Sequence, residues 1–446
     1  MRKFWKSLFI TKRFFASLAL IMVLMILGQY YQMIFVVGQL AFFLFALLLI
    51  VDSLLMYAGK SSTRIKAFRE LPERFSNGDA NKVELTFKSN FNFRVSVTLI
   101  DELPFQFQER DFNEKFILVS GQEKKFSYAL SPVNRGEYHF GALNVYARSP
   151  ISFISRRYIF NQDAMVKVYP SFIEMRKFEL MAISNRLTEL GVKKIRKIGH
   201  QMEFDQIRDY ITGDDYRTIN WKATARKGHL MVNQYQDEKS QQVFSLIDLG
   251  RTMKMPFNGM TLLDYAINTS LVISNIAMLK HDKAGLFTFS NTIHSMVPAA
   301  RNGRHMQHIM EVLYNQDTDF KEQNLELLYA QIKRKVYHRS LMMLYTNFES
   351  LGSARRQIPF LQSLAKNHLL VVVFFENTEV SKITEQTTES IEDIYVKTIA
   401  EKFTFDKKLI VRELKQYGIH AILSAPGDLT VNTVNKYLEI KSRGLL

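Results

Sequence analysis

The stretch that decides the reading is Gly199–Glu238, GHQMEFDQIRDYITGDDYRTINWKATARKGHLMVNQYQDE, followed closely by the apolar run Val243-Phe244-Ser245-Leu246-Ile247. The block is dense in Arg and Asp and carries Trp221, one of only two Trp in 446 residues. A charged block feeding a short apolar run reads as a joint that delivers the chain into a buried strand. Thr212-Gly213-Asp214 is a turn, and Asp214 is placed to cap a helix opening at Asp215. Arg226 and Lys227 fall in its last turn and Gly228 supplies the stop, so one short helix is expected over 215–227. Tyr216, Ile219, Ala223 and Arg226 would share one face, leaving Trp221 off that stripe to pack on a neighbouring element.

Downstream, over 241–446, apolar runs alternate with amphipathic stretches. Val243–Ile247, Ala284–Phe289, Leu341–Tyr345, Leu369–Phe375 and His420–Leu423 read as buried strands, with helices near 260–281, 303–315, 323–336, 354–367 and 391–417. Crossover helices between apolar strands imply an α/β domain with a mostly parallel sheet covered on both faces. Ligands of such sheets meet the carboxyl ends of the strands, which directs attention to Asp248-Leu249-Gly250-Arg251-Thr252-Met253. The acidic, Thr-rich stretch Glu376–Asp393 reads as a mobile loop opening a helix.

Upstream, residues 63–170 alternate apolar and polar side chains in short runs such as Val83-Leu85-Phe87 and Val95-Val97-Leu99, broken by Ser76-Asn77-Gly78-Asp79 and Asn134-Arg135-Gly136. That spacing suits an immunoglobulin-like β-sandwich. Residues 171–240 form a connector that includes the basic run Lys193, Lys194, Arg196, Lys197 and His200 and then the opening motif. Before the sandwich, 14–57 holds two apolar runs separated by Gly28-Gln29-Tyr30-Tyr31-Gln32, a pattern expected of two transmembrane α-helices in a hairpin. Asp52, about one turn from the end of the second run, is expected at the water interface. A basic tail at 1–13 and Lys60, Arg64, Lys66 and Arg69 beyond the second run put both termini and the soluble domains in the cytoplasm by the positive-inside rule. The competing reading, a cleaved signal peptide, lacks an A-x-A site after Leu27 and meets a basic flank after Tyr57.

Cysteine is absent, which excludes disulfides, zinc-thiolate sites, iron–sulfur clusters and thiol catalysis. The net charge of +16 owes five cations to Arg2, Lys3, Lys6, Lys12 and Arg13 in an acid-free tail. The rest is scattered without a basic face interleaved with aromatics, so no nucleic-acid partner is expected. The His residues form no metal-ligand spacing, and no phosphate loop, dinucleotide fingerprint or G-x-S-x-G elbow occurs.

Within the motif, Glu203, Arg208, Asp209, Asp214, Asp215, Arg217, Arg226 and Glu238 admit two readings. Paired carboxylates beside Arg serve acid–base or phosphate chemistry, which gives a carboxylate- or metal-dependent hydrolase or transferase as the alternative function. Arg with carboxylates at irregular spacing, with no Ser or Cys nucleophile, is expected instead to be an ion-pair network fixing a domain joint or a partner surface. The string E-F-x-x-I-R-x-Y-x-x-G-D-D-x-R-x-I-N-W-K-A-x-A-R, from Glu203 through Tyr210 and Trp221 to Arg226, resembles the bacterial domain-of-unknown-function family fifty-eight.

That resemblance implies a membrane hairpin, a β-rich region and a C-terminal von Willebrand factor A-like domain, in a protein linked to MoxR-type AAA+ ATPases and not known as an enzyme. It also implies a comparison with the metal-binding A-domain, which uses D-x-S-x-S, a Thr and a later Asp to give a hard divalent ion several oxygen ligands. This chain has Asp248, Gly250, Thr252 and, after Leu341–Tyr345, Asn347. The loop Ala299–Arg304 is expected to bring Arg301 or Arg304 against Asp248 and neutralise it, leaving a degenerate site with no metal and no cofactor. The expected function is a membrane-anchored adaptor or scaffold, with the lipid bilayer and an AAA+ ATPase as partners.

Overall fold

The computed structural model describes residues 2–58, 64–109, 112–160, 164–183, 203–236, 240–385 and 390–445. Lys60, the basic run Lys193–His200 and Glu238 lie outside the described residues. The chain divides into two units, Met1–Tyr169 and Pro170–Leu446.

The first unit opens with the short helix α1 (Arg2–Ser7), strand β1 (Leu8–Ile10) and the apolar helices α2 (Lys12–Gly28) and α3 (Gln32–Tyr57). The two helices pack closely: a Cβ on Gly28 would lie 2.7 Å from the Phe35 backbone. At 26 residues α3 is long and apolar enough to cross a bilayer. Ten strands follow: β2 (Ile65–Glu70), β3 (Arg74–Ser76), β4 (Asn81–Ser89), β5 (Val95–Asp101), β6 (Asn113–Leu118), β7 (Glu123–Leu130), β8 (Gly136–Phe140), β9 (Leu143–Arg148), β10 (Ile154–Phe160) and β11 (Ala164–Tyr169). They form sheets ordered β1-β10-β9-β5-β6, β2-β4-β7 and β3-β11-β8, antiparallel except for β3 with β11. The alternation read from the sequence is what builds the core. Val83, Leu85 and Phe87 of β4 and Val95, Val97 and Leu99 of β5 point inward and are fully buried, while their neighbours face out. Strand β1 falls in the basic tail at 1–13; its backbone pairs with β10 as an edge strand.

The second unit begins with α4 (Phe172–Ile183), which buries Met175 and Phe178. After the hairpin β12 (Glu203–Asp209) and β13 (Met231–Gln236), with the short helix α5 (Trp221–Lys227) between them, comes β14 (Gln242–Asp248). The small ribbon β15 (Pro256–Phe257) and β16 (Met260–Thr261) leads into α6 (Leu262–Leu279). Next are β17 (Lys283–Phe289), β18 (Ile293–Ala300), α7 (His305–Tyr314), α8 (Leu325–Lys335), β19 (Leu341–Tyr345), α9 (Leu351–Asn367) and β20 (Leu369–Phe375). The unit closes with α10 (Thr378–Glu385), α11 (Ile391–Gln416), β21 (His420–Ser424) and α12 (Leu429–Ser442). The main sheet is mixed, ordered β18-β17-β14-β19-β20-β21, with five parallel strands and an antiparallel edge, β18.

Five of those strands coincide with the apolar runs; β18 was missed because His294, Ser295 and Pro298 break its apolar pattern. Helices α8, α9 and α11 cover one face around Leu328, Leu361 and Leu414, and α6 packs on β14 and β17 from the other. Helix α6 also has the length and hydropathy of a membrane span, but it is 78% buried, as a core helix should be. A capping box between Thr261 and Asp264 starts it. The stretch read as a mobile loop instead holds helix α10, opened by the Asn377 side chain accepting from Glu379 and Val380 N–H.

Candidate functional site

The motif folds as an antiparallel hairpin, with β12 and β13 paired from Glu203↔Gln236 to Asp209↔Met231 across a shift of register between Phe204 and Gln206. Its tip is held by a bidentate pair: Arg208 Nη1 and Nη2 donate to the two Asp214 oxygens at 2.8 and 2.7 Å. Asp214 also accepts from the Ile211 N–H at 2.9 Å, and Arg208 above all, then that N–H, holds its carboxyl below the usual carboxylate range. The single helix expected over 215–227 is in fact two pieces. Asp215 caps a 3₁₀ turn, Tyr216–Thr218, by accepting from Arg217 N–H; Asn220 then caps α5 by accepting from Ala223 N–H. The break has a tertiary cause: the Asn220 N–H donates to Met231 O and Ile219 bridges to Val232, so these residues are drawn into the sheet. Gly228 ends α5 at φ +75°, the left-handed stop the sequence called for.

The other motif residues do not gather into one network among the described residues. Asp209 meets His229 at 2.8 Å, Arg217 lies over the Tyr216 ring at 5.7 Å, and Tyr210 donates its backbone N–H to Leu230 O. Arg226 is exposed and makes no ion pair among the described residues; Glu203 contributes backbone pairing at the start of β12. Trp221, expected to pack on a neighbour, is 69% exposed, and Tyr216 is 70% exposed.

The second cluster lies at the carboxyl end of the sheet. Asp248 ends β14 fully buried, accepting from Thr346 Oγ1 at 2.7 Å and from Gly250 N–H at 2.8 Å. Burial pushes its carboxyl up to about 6 against those two hydrogen bonds. Thr346 has one hydroxyl hydrogen but also sits 2.7 Å from Gln323 Oε1, so a protonated Asp248 or a turned Gln323 amide completes the set. Arg301 and Arg304 do not reach Asp248. Because β18 is antiparallel, Ala300 pairs with Ala284 at the start of β17, whereas Asp248 pairs with Phe289 at its end. Five residues of strand separate them, roughly 16 Å. Arg301 instead meets His281 at 2.7 Å.

A buried cation at this end is Lys407 of α11, which donates to Asn347 Oδ1 and Phe348 O, both at 2.6 Å. Burial lowers its ammonium to about 8. Thr252 sits in a 3₁₀ turn and offers its backbone carbonyl to Asn347 Nδ2 at 3.5 Å. A Cβ on Gly250 would fall 2.9 Å from Asp248 Oδ1 and 3.1 Å from Lys321 O, so the loop after Asp319 fills the space a Ser at 250 would need. Among the described residues no three His, Asp or Glu are placed to hold a metal, and the oxygens of Asp248 are already engaged. The donor set does not fit a divalent ion.

Residues 206–388 match the family Protein of unknown function DUF58. The DUF58 match takes in the hairpin from Gln206 on, Asp248 and the sheet through β20. An uncharacterised protein YeaD of Bacillus subtilis is 30% identical over 124 residues, covering 27% of this chain and 30% of that protein, so less than a third of the relative is shared. Among solved structures, the conserved hypothetical protein BatB of Bacteroides thetaiotaomicron aligns over 46% of this chain and all of its own at 10% identity and a TM-score of 0.30. A PapD-like domain of human CEP192 aligns over 24% of this chain and 85% of its own at 13% identity and a TM-score of 0.18.

Inside the DUF58 match the fold adds a group that sequence reading missed, Ser290, His294 and Asp319. Ser290 Oγ lies 2.6 Å from Asp319 and 2.9 Å from His294 Nε2, and that same Nε2 is 3.3 Å from Asp319. In a nucleophilic triad the acid holds one ring nitrogen while the other takes the serine proton. Here one nitrogen faces both partners and the buried Ser290 donates directly to Asp319, so the serine is not activated. Burial pushes Asp319 up, but the bonds from Ser290 and Lys321 N–H and the nearby His294 outweigh it and hold the carboxyl low. The group pins the loop that covers Asp248. Its only sequence signal was a Ser directly after a predicted strand.

Proposed function

We propose that this protein is a membrane-anchored adaptor whose second unit, read as a von Willebrand factor A-like domain, presents a protein-docking surface to a MoxR-type AAA+ ATPase. The first unit is read as a cytoplasmic immunoglobulin-like sandwich on a two-pass hairpin at a bacterial inner membrane. The observation that carries the reading is the outer face of the motif hairpin. Trp221, Lys222, Ala225 and Arg226 line its exposed side with Tyr216 and Arg217 nearby, while Asp214, Asp209 and Asp215 are occupied in holding the loop. An exposed Trp and Tyr between Arg and Lys side chains is the composition of a protein-docking hot spot for a partner with carboxylates. Tethering raises the effective concentration of such a face for partners confined to the same surface. The hydrolase alternative asks for an activated nucleophile or a metal, and neither cluster supplies the chemistry.

Photo-crosslinking in cells from position 221, followed by mass spectrometry, tests the reading. An AAA+ ATPase adduct that fades in Arg226→Glu supports it; adducts unchanged by that variant, with no ATPase among them, overturn it.

A further inference from the structure

We propose that the turn Ser149–Ile154 is a latch gripping both ends of the apolar helix pair, with Asp52 as its positioning residue, so that helices and β-rich unit form one body. The inference rests on the membrane-anchoring reading above. On the side of α2, Thr11 N–H donates to Phe153 O at 3.1 Å and Thr11 Oγ1 to Ser152 O at 2.5 Å. The chain just before them is β1, pairing Leu8↔Arg156, Phe9↔Ser155 and Ile10↔Ile154. On the side of α3, Asp52 is fully buried: one oxygen accepts from Ser149 Oγ, the other from Phe153 N–H at 2.8 Å and Ile154 N–H at 2.9 Å. The access to water expected for Asp52 is therefore corrected. The acid is spent on the turn.

The turn is built for that acid. Ser149 Oγ already accepts from Ile151 N–H at 3.1 Å and Ser152 N–H at 3.3 Å, which leaves its one hydrogen for Asp52. Ser152 sits at φ +62°, a conformation disfavoured for a residue with a Cβ, and its hydroxyl donates to Ser149 O at 2.7 Å. Around the carboxylate, Phe153 packs on Phe45 with centroids 5.2 Å apart. Arg156 donates to Met56 O at 2.7 Å and Arg64 to Leu55 O at 2.6 Å, satisfying carbonyls that the last turn of α3 leaves open.

Residues 32–51 rise about 30 Å, the thickness of a hydrocarbon core, so Asp52 is the first position beyond it. A latch at this level holds the residues before α2 and those after α3 on the same face of the bilayer. It also makes residues 8–10 part of the folded unit, which a cleaved leader would remove.

The chain has no native cysteine, so a Phe9→Cys/Ser155→Cys pair reports the latch without background. In membranes carrying the full chain, a 9–155 disulfide is expected to form on mild oxidation. Asp52→Leu, and Asp52→Asn, whose amide would face a hydroxyl with both lone pairs taken, should slow it about tenfold or more. Amide exchange at Phe153 and Ile154 should accelerate in parallel. Where Asp52→Leu does not accumulate, Ser149→Ala with Thr11→Val serves in its place. No disulfide although each single cysteine reacts with maleimide, or a disulfide as fast in the Asp52 variants as in their parent, overturns the latch. A chain absent from the membrane fraction overturns the anchoring reading instead, while the same crosslink in the soluble chain still reads the latch.

Discussion

The second unit sets two aspartates against each other a short way apart in sequence. Asp214 lies on the open hairpin, paired with Arg208 and held below the ordinary carboxylate range, whereas Asp248 is sealed under the loop after Asp319 and pushed up to about 6. Charge density drew attention to the first, and degenerate metal ligands to the second. The difference is solvent: a half-buried carboxylate at the surface with a guanidinium is cheap to keep charged and holds a loop, while a fully buried one without a cation is costly and favours its proton.

The contrast breaks most sharply at Gly250. Gly250→Ser restores one step of a D-x-S pattern, yet its Cβ would press on Asp248 Oδ1 and Lys321 O. It should cost about 3 kcal/mol, the upper end of overpacking, and create no cation site. Thermal unfolding of the detergent-solubilised chain with and without magnesium checks both halves; a gain of stability in magnesium would contradict them.

Asp248→Asn should come next in size. The folded pKa is raised above the ordinary aspartate value of 3.8, so the Asp248 contribution is fully present below about 3.8 and is lost as pH rises through about 6. A rise from 3.8 to about 6 bounds the change at about 3 kcal/mol, and relaxation of the site should bring the measured span to about 2 kcal/mol. Asparagine removes that slope: its amide donates to Thr346 Oγ1, whose hydrogen then goes to Gln323. The variant should match the parent below about pH 3.8 and exceed it increasingly up to about pH 8. Equal pH profiles for the two proteins would show that Asp248 is not the titrating group.

What was legible follows from the same physics. Continuous apolar runs gave five strands of the mixed sheet, because a strand buried on both faces needs apolar residues throughout. Strand alternation gave the β-rich unit. Strand β18 was not legible, and its direction decides that Arg301 faces the wrong end of the sheet. Lys407, some 160 residues along the chain from Asp248, meets Asn347 only through the packing of α11, and no local pattern announces it. The bent path at Ile219–Asn220 was hidden for a related reason: propensity favours helix there, and pairing with Met231 and Val232 wins.

At the hairpin the expected effects shrink. Arg208→Ala leaves Asp214 exposed and solvated, so global melting should hardly move. The loop should nevertheless open, read as faster amide exchange at Ile211, whose N–H Asp214 accepts, and faster tryptic cleavage after Arg217. Unchanged exchange at Ile211 would mean that the pair does not hold the tip.

Trp221→Ala should have the smallest effect on stability and the most telling one on function. A side chain 69% exposed has little burial to lose, so the melting temperature should stay with its parent. A docking hot spot is different, because the area hidden by a partner is lost in full; capture of the crosslinked partner should fall at least about tenfold. The two readouts together separate the hairpin from the sheet end. Asp248→Asn should move stability and leave capture alone, and Trp221→Ala should do the reverse. If Trp221→Ala lowers stability as a core substitution does, its ring is covered in the working protein and the docking face must be sought elsewhere.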